Sequence, residues 1–188
     1  MIVGFREFVY DKYFKTLKGL AERLLEAFAM SLKLQPSHFN SMVKKPVVTL
    51  RFNHYLMLPA KVDEEQISCG IHTDNDAFTI LAQDDTGGLQ TRLADGRFVP
   101  VPFIPNTFVI NTGDILERWS NGKYKASPHR VIAPPGKERY SVGWFLIGDY
   151  GAIIEPSVKD EIPKYEPITA GDCFESVEIP AHVYTQDI

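Results

Sequence analysis

A mainly β domain with flanking helices is what this sequence predicts, on three observations. A run of short strand-like segments, punctuated by turn signals, fills residues 46–148. A long stretch with three- and four-residue apolar spacing precedes them. The chain is 44% hydrophobic and 12% aromatic over 188 residues, enough apolar material for one sizeable core. Many short strands at near-regular spacing indicate a sandwich or barrel, with a jelly roll among the candidates.

The helical stretch runs from about Phe5 to Lys33. Leu17, Leu20, Leu24 and Phe28 recur on one face, with Ala21 and Leu25 beside them and Lys15, Lys18, Glu22, Arg23 and Glu26 opposite. Pro36 is the expected stop. Ser37 is placed to cap a short second helix carrying Phe39 and Met42. Strands are expected at 46–56, 70–73, 77–83, 88–92, 97–101, 106–112, 126–132 and 139–148. Turns fall at Asp85-Thr86-Gly87-Gly88, Asp95-Gly96, Asn121-Gly122 and Pro134-Pro135-Gly136. From Glu155 to Ile188 the chain is irregular, with a short helix expected near 169–176. The domain therefore divides into an N-terminal helical segment packing on the barrel (1–45), a core (46–150) and a C-terminal tail of the same domain (151–188).

Composition excludes several function classes. Net charge is −4, and a nucleic-acid partner usually needs a basic face. No apolar run is long enough to span a membrane, and the N-terminus lacks the pattern of a signal peptide. Cys69 and Cys173 are too few for a disulfide framework, so a reducing, cytoplasmic setting is expected. A monomer is the expected oligomeric state.

Alternation sorts the polar residues. In "VTLRFNHYL", Val48, Leu50, Phe52, His54 and Leu56 share one face, while Thr49, Arg51, Asn53 and Tyr55 share the other. That second face suits either solvent or the polar lining of a barrel mouth. His54 reads as a packing histidine, and His38 and His182 as surface residues. In "RYSVGWF", Arg139, Ser141, Gly143 and Phe145 share a face. A guanidinium and a hydroxyl two residues apart can reach one carboxylate. A solvated arginine on an exposed strand is the competing reading, weakened by the small residues beside it. In "GIHTDNDAFTIL", His72 and Asp74 project to one side of an extended chain. Joined by His129 from a distant strand, they can form a two-His, one-carboxylate facial triad that leaves open positions on a metal. A tetrahedral zinc site would want a fourth ligand, for which Cys69 is the only near candidate.

The ordered set His72-x-Asp74, His129 and Arg139-x-Ser141 resembles the 2-oxoglutarate- and Fe(II)-dependent oxygenases, in their isopenicillin N synthase-like branch. The words "LRFNHY", "GGLQ", "VINTGDILERWSNGKYKASPHRV" and "RYSVGWF" resemble the family as well, over roughly residues 5–176. The resemblance implies a double-stranded β-helix, the jelly roll, with helices outside it. It implies that His72, Asp74 and His129 hold Fe(II). Arg139 and Ser141 would take the distal carboxylate of 2-oxoglutarate, and Asn53 and Tyr55 would lie near its metal-bound end. Gly113 and Gly122 would be backbone devices in the turn before His129. The implied activity couples oxidative decarboxylation of 2-oxoglutarate by O2, with ascorbate in support, to hydroxylation, desaturation or ring closure of a small organic substrate. Arg51, Asn75 and Phe145 are the candidate substrate contacts. Two alternatives stay open: an oxidase of this fold that uses no 2-oxoglutarate, and a jelly-roll binding module without catalysis. Family members usually carry a further N-terminal region ahead of the opening helix, so substrate enclosure is the feature this chain puts in question.

Overall fold

The computed structural model describes residues 3–57, 68–158 and 162–176; His182 lies outside them. The N-terminal helix begins as α1 (Val3–Glu7), passes through a π-helical stretch at Phe8–Phe14 and continues as α2 (Lys15–Ser31). The buried row on α2 is Leu17, Ala21, Leu25 and Ala29. Leu20, Leu24 and Phe28, expected at the centre of the apolar face, flank that row and are partly buried. The alanines decide the difference, because a helix approaches its neighbour most closely where its side chains are small. Pro36 is not the stop. The helix ends at Ser31, where Lys33 turns to φ 60° and the Leu34 N–H reaches back to the Ala29 carbonyl. Residues His38–Met42 form a 3-10 turn without a side-chain cap from Ser37. Its Phe39 is buried and stacks on Trp119 at 4.8 Å between ring centres.

The strands are β1 (Val47–Tyr55), β2 (Cys69–His72), β3 (Phe78–Gln83), β4 (Leu89–Arg92), β5 (Phe98–Pro100), β6 (Val109–Thr112), β7 (His129–Val131) and β8 (Arg139–Gly148). They form two antiparallel four-stranded sheets, ordered β1-β8-β3-β6 and β2-β7-β4-β5. The chain crosses repeatedly from one sheet to the other, the winding of a double-stranded β-helix. The stretch expected as a plain turn after β6 contains a helix, α3 (Asp114–Trp119), whose Ile115, Leu116 and Trp119 are buried. Two-residue strands β9 (Ile153–Ile154) and β10 (Ile168–Thr169) pair with each other, and α4 (Ala170–Glu175) follows.

Each face of the first sheet has its own task. Phe78, Ile80, Trp144 and Leu146 join the buried row of α2 in the core. The alternate residues Thr79, Leu81, Ser141 and Phe145 face a cavity of about 420 Å³, whose far wall includes Leu89, Thr91, His129 and Val131 of the second sheet. The β1–β8 register sets Tyr55 opposite Arg139, Asn53 opposite Ser141 and Arg51 opposite Gly143. His54 lies on the outer face, its ring stacked on Tyr140 at 4.4 Å and its Nε2 3.2 Å from Glu138.

Candidate active site

His72 ends β2 and His129 begins β7, and the two residues are direct partners in the second sheet. Their rings lie 4.2 Å apart. Asp74 sits just past β2 in a loop that α3 clasps from below: the Asp114 N–H donates to the Asp74 carbonyl and the Ile115 N–H to that of Asp76. Gly113 permits this clasp, since a Cβ there would collide with the Asp76 carbonyl and lie 2.7 Å from that of Asp74.

The three side chains converge. Asp74 Oδ1 is 3.7 Å from His72 Nε2 and 3.8 Å from His129 Nε2, and one ligand atom from each residue lies within 4.8 Å of the others. Two donors that each bind one ion at about 2.1 Å can stand at most about 4.2 Å apart, so both pairs fit a shared ion. Each imidazole keeps Nε2 for that purpose, because Nδ1 bonds a backbone carbonyl: Gly70 for His72 and Ser127 for His129, both at 2.9 Å. Oδ1 of Asp74 is likewise left facing the imidazoles. Oδ2 accepts from Thr79 Oγ1 at 2.6 Å and from Asn111 Nδ2 at 2.7 Å. Cys69 Sγ lies 3.8 Å from His72 Nδ1, on the side away from the converging atoms, so it does not complete a tetrahedron.

The electrostatics of the trio are uneven. The Cys69 sulfur pushes the His72 imidazole up to about 9, with the Gly70 carbonyl and Asp74 adding to it against desolvation. Burial holds His129 below its ordinary value. A metal at this site therefore competes with a proton at His72. Asp76, buried beside Asp74, is raised well above the carboxylate range by burial and then by the charge of Asp74. Its Oδ2 stands 2.8 Å from the same Thr79 hydroxyl that serves Asp74. The Thr79 hydroxyl is thus shared between the two carboxylates, donating to Oδ2 of each. Sequence reasoning missed Thr79, Asn111 and Asp76. The one signal was a threonine inside the apolar strand "FTIL".

At another wall of the same cavity lies Arg139, 1% exposed. Nε donates to the Gly87 carbonyl at 2.8 Å, while the other nitrogens reach Ser141 Oγ and Gln83 Oε1 at 3.2 Å. The Tyr55 ring lies 4.9 Å away, and Asn53 Nδ2 donates to Ser141 Oγ at 3.3 Å. No carboxylate among the described residues pairs with this buried guanidinium. A buried cation without a counter-charge is costly, and an anionic ligand relieves that cost.

Arg51 and Phe145 line the cavity too, with the guanidinium 5.4 Å from the ring. Asn75 does not line it. Its Nδ2 donates to the Phe174 carbonyl at 3.3 Å, which ties the Asp74 loop to α4. Gly143 leaves no ligand space of its own either: the Phe145 ring fills it, 2.6 Å from where a Cβ would stand.

Residues 47–147 match the model of the 2OG-Fe(II) oxygenase superfamily. The chain belongs to that superfamily. Among curated relatives, it is 35% identical over 168 residues to the 2-oxoglutarate-Fe(II) type oxidoreductase hxnY of Emericella nidulans, covering 86% of this chain and 48% of that one. It is 37% identical over 147 residues to gibberellin 2-beta-dioxygenase 8 of Arabidopsis thaliana, covering 78% and 43%. Among solved structures, it superposes on a full-length Neurospora crassa protein in complex with alpha-KG with a TM-score of 0.85, at 32% identity over 93% of this chain and 57% of that one. It also superposes on the dioxygenase for auxin oxidation 1 of Arabidopsis thaliana, solved with 2-oxoglutarate, with a TM-score of 0.72 at 34% identity over 81% and 57%. The chain spans about half the length of the curated relatives it matches. The double-stranded β-helix is thus the family's fold as well as the observed one.

Proposed function

We propose that this chain carries the Fe(II)- and 2-oxoglutarate-binding core of an oxygenase that hydroxylates, desaturates or cyclises a small organic substrate. One observation supports this above the others: a single cavity holds both a converging His–Asp–His set and a buried arginine without a carboxylate partner. His72, Asp74 and His129 would hold Fe(II), whose chemistry when bound is O2 activation driven by decarboxylation of 2-oxoglutarate. Arg139 and Ser141 receive the distal carboxylate. Tyr55 packs under the guanidinium, and Asn53 orients the Ser141 hydroxyl. In an oxidase without 2-oxoglutarate the Arg139–Ser141 pair would serve another carboxylate; the similarity to 2-oxoglutarate-Fe(II) oxidoreductases and to structures solved with 2-oxoglutarate favours the first reading.

On this reading residues 46–150 carry the catalytic core, between an N-terminal segment (1–45) and a C-terminal tail (151–188) of the same domain. Among the described residues no helix is long and apolar enough to cross a membrane. Cys69 and Cys173 are both free, which accords with a reducing, cytoplasmic setting.

Arg139→Leu tests the assignment. Removing one member of a buried charge pair costs about 2–5 kcal/mol, or roughly 30-fold or more in affinity. Calorimetric titration of the anaerobic Fe(II)-loaded protein should show that loss for 2-oxoglutarate, with Fe(II) affinity kept. Ser141→Ala should cost only about 1 kcal/mol, one hydrogen bond beside an intact charge. A wild type that neither binds 2-oxoglutarate nor releases succinate under O2 would overturn the proposal.

A further inference from the structure

We infer that Arg51 is an anion-binding site for the substrate, and that the substrate class is a small apolar carboxylic acid. This rests on the oxygenase reading above. Arg51 sits on the same face of β1 as Asn53 and Tyr55 and lines the cavity. Its guanidinium lies over the Phe145 ring, and that ring is seated in the space left by Gly143, directly across the strand pair from Arg51. The side chain missing at Gly143 and the aromatic face that fills its place thus hold a cation at the cavity wall.

That cation is exposed at the cavity wall, where water solvates it when no ligand is present, and it has no acidic partner. Among the described residues no carboxylate forms an ion pair with Arg51, and no side-chain hydrogen bond engages it. The cavity lining contains one acidic side chain, Asp74, which is committed to the imidazoles and to its Thr79 and Asn111 bonds. The remaining wall is mostly apolar, with Leu81, Leu89, Val101, Val109 and Val131. Arg51 is distinct from the cosubstrate's cation. It lies four residues along β1 from Tyr55, the partner of Arg139, a separation of roughly 13 Å between the backbone positions. Both carboxylates of 2-oxoglutarate are accounted for at the metal end and at Arg139. The anion drawn by Arg51 therefore belongs to the other reactant, whose body is apolar.

The probes are phenylacetate, hexanoate and cyclohexanecarboxylate, each set against its neutral amide. Binding to the anaerobic Fe(II)-loaded protein at saturating 2-oxoglutarate is read by saturation-transfer NMR and calorimetry. At least one acid should bind about tenfold more tightly than its amide, as expected for a charge-assisted pair. Arg51→Gln should erase that ratio, and Arg51→Lys should keep part of it. Both variants should melt within a few degrees of wild type. No preference for any acid in wild type, or a preference that survives in Arg51→Gln, would overturn the inference. Failure of the oxygenase reading would appear separately, as absent 2-oxoglutarate binding before any probe is added.

Discussion

Asp74 offers two oxygens, and its neighbours decide which one is available. Thr79 and Asn111 both donate to Oδ2, so Oδ1 points between the two imidazoles. This turns a carboxylate free to rotate into a donor with one oxygen of fixed direction, and for a metal bound there such supporting bonds would carry about tenfold to a hundredfold in affinity. Asn111→Leu, which removes one of the two donors at similar volume, should weaken Fe(II) binding by about tenfold in anaerobic calorimetry. Thr79→Val should do the same and, in addition, strand the buried Asp76. Unchanged affinity in both variants would show that the clamp does not hold the ligand. The spacing of His72 and Asp74 was legible, since residues two apart on an extended chain share a side. The clamp was not, because Thr79 and Asn111 reach Asp74 from different strands and neither carries a metal-ligand signature.

At the level of elements, α3 holds the ligand loop and the approach to His129 together. Its N-terminal amides take the Asp74 and Asp76 carbonyls, and its Glu117 reaches the segment before β7. Glu117 accepts from the Ala126 N–H at 2.7 Å, from Tyr165 at 2.5 Å and from Lys125 at 3.0 Å. Burial raises its pKa, but the Tyr165, Ala126 and Lys125 contacts together outweigh it and hold the carboxyl below its ordinary value of 4.5. A depressed carboxyl stabilises the fold above the ordinary value, and that contribution is lost as pH falls through the folded-state value. Glu117→Gln should therefore destabilise the protein at pH 7 by about 1–2 kcal/mol, a range set by charge-assisted hydrogen bonds at a partly exposed site. Below about pH 4.5 the gap to wild type should narrow. Urea denaturation midpoints at about pH 7 and about pH 3.5 measure both, and a gap that stays constant would place the stabilisation elsewhere. The helix itself was hidden in the sequence: six residues between turn signals are too few for periodicity to separate from a loop.

Across the whole molecule, the site joins two sheets that the covalent chain reaches in turn. His72 and His129 belong to one sheet, Arg139 and Ser141 to the other, and the cavity lies between them. A ligand that bridges the Asp74 loop and β7 should stabilise the folded chain as a unit. With metal at about a hundred times its dissociation constant the gain is about 2.7 kcal/mol, or roughly 5–10 °C in a chain of this size. Adding a chelator to the Fe(II)-loaded protein should lower Tm by that amount in anaerobic scanning calorimetry. Asp74→Ala should show no metal-dependent shift. A wild type whose Tm ignores the chelator would mean that no metal is held between these strands.

The sequence by itself determined the strand positions, the alternation along β1 and β8, and the order of the family's motifs. These are local properties: a pleated strand turns successive side chains to opposite faces wherever it folds. It therefore put His54 on the face opposite Asn53 and Tyr55; the structure turns that face outward, where His54 is half-exposed against Tyr140 rather than packed in the core, and sets Asn53 and Tyr55 on the cavity side. Only the tertiary structure decided that Asn75 turns away toward α4, that Phe145 fills the hollow at Gly143, and that Arg139 is buried without a carboxylate. Each depends on what another strand or helix brings to the same point. Such distances are set by packing across the chain, and spacing along it does not encode them.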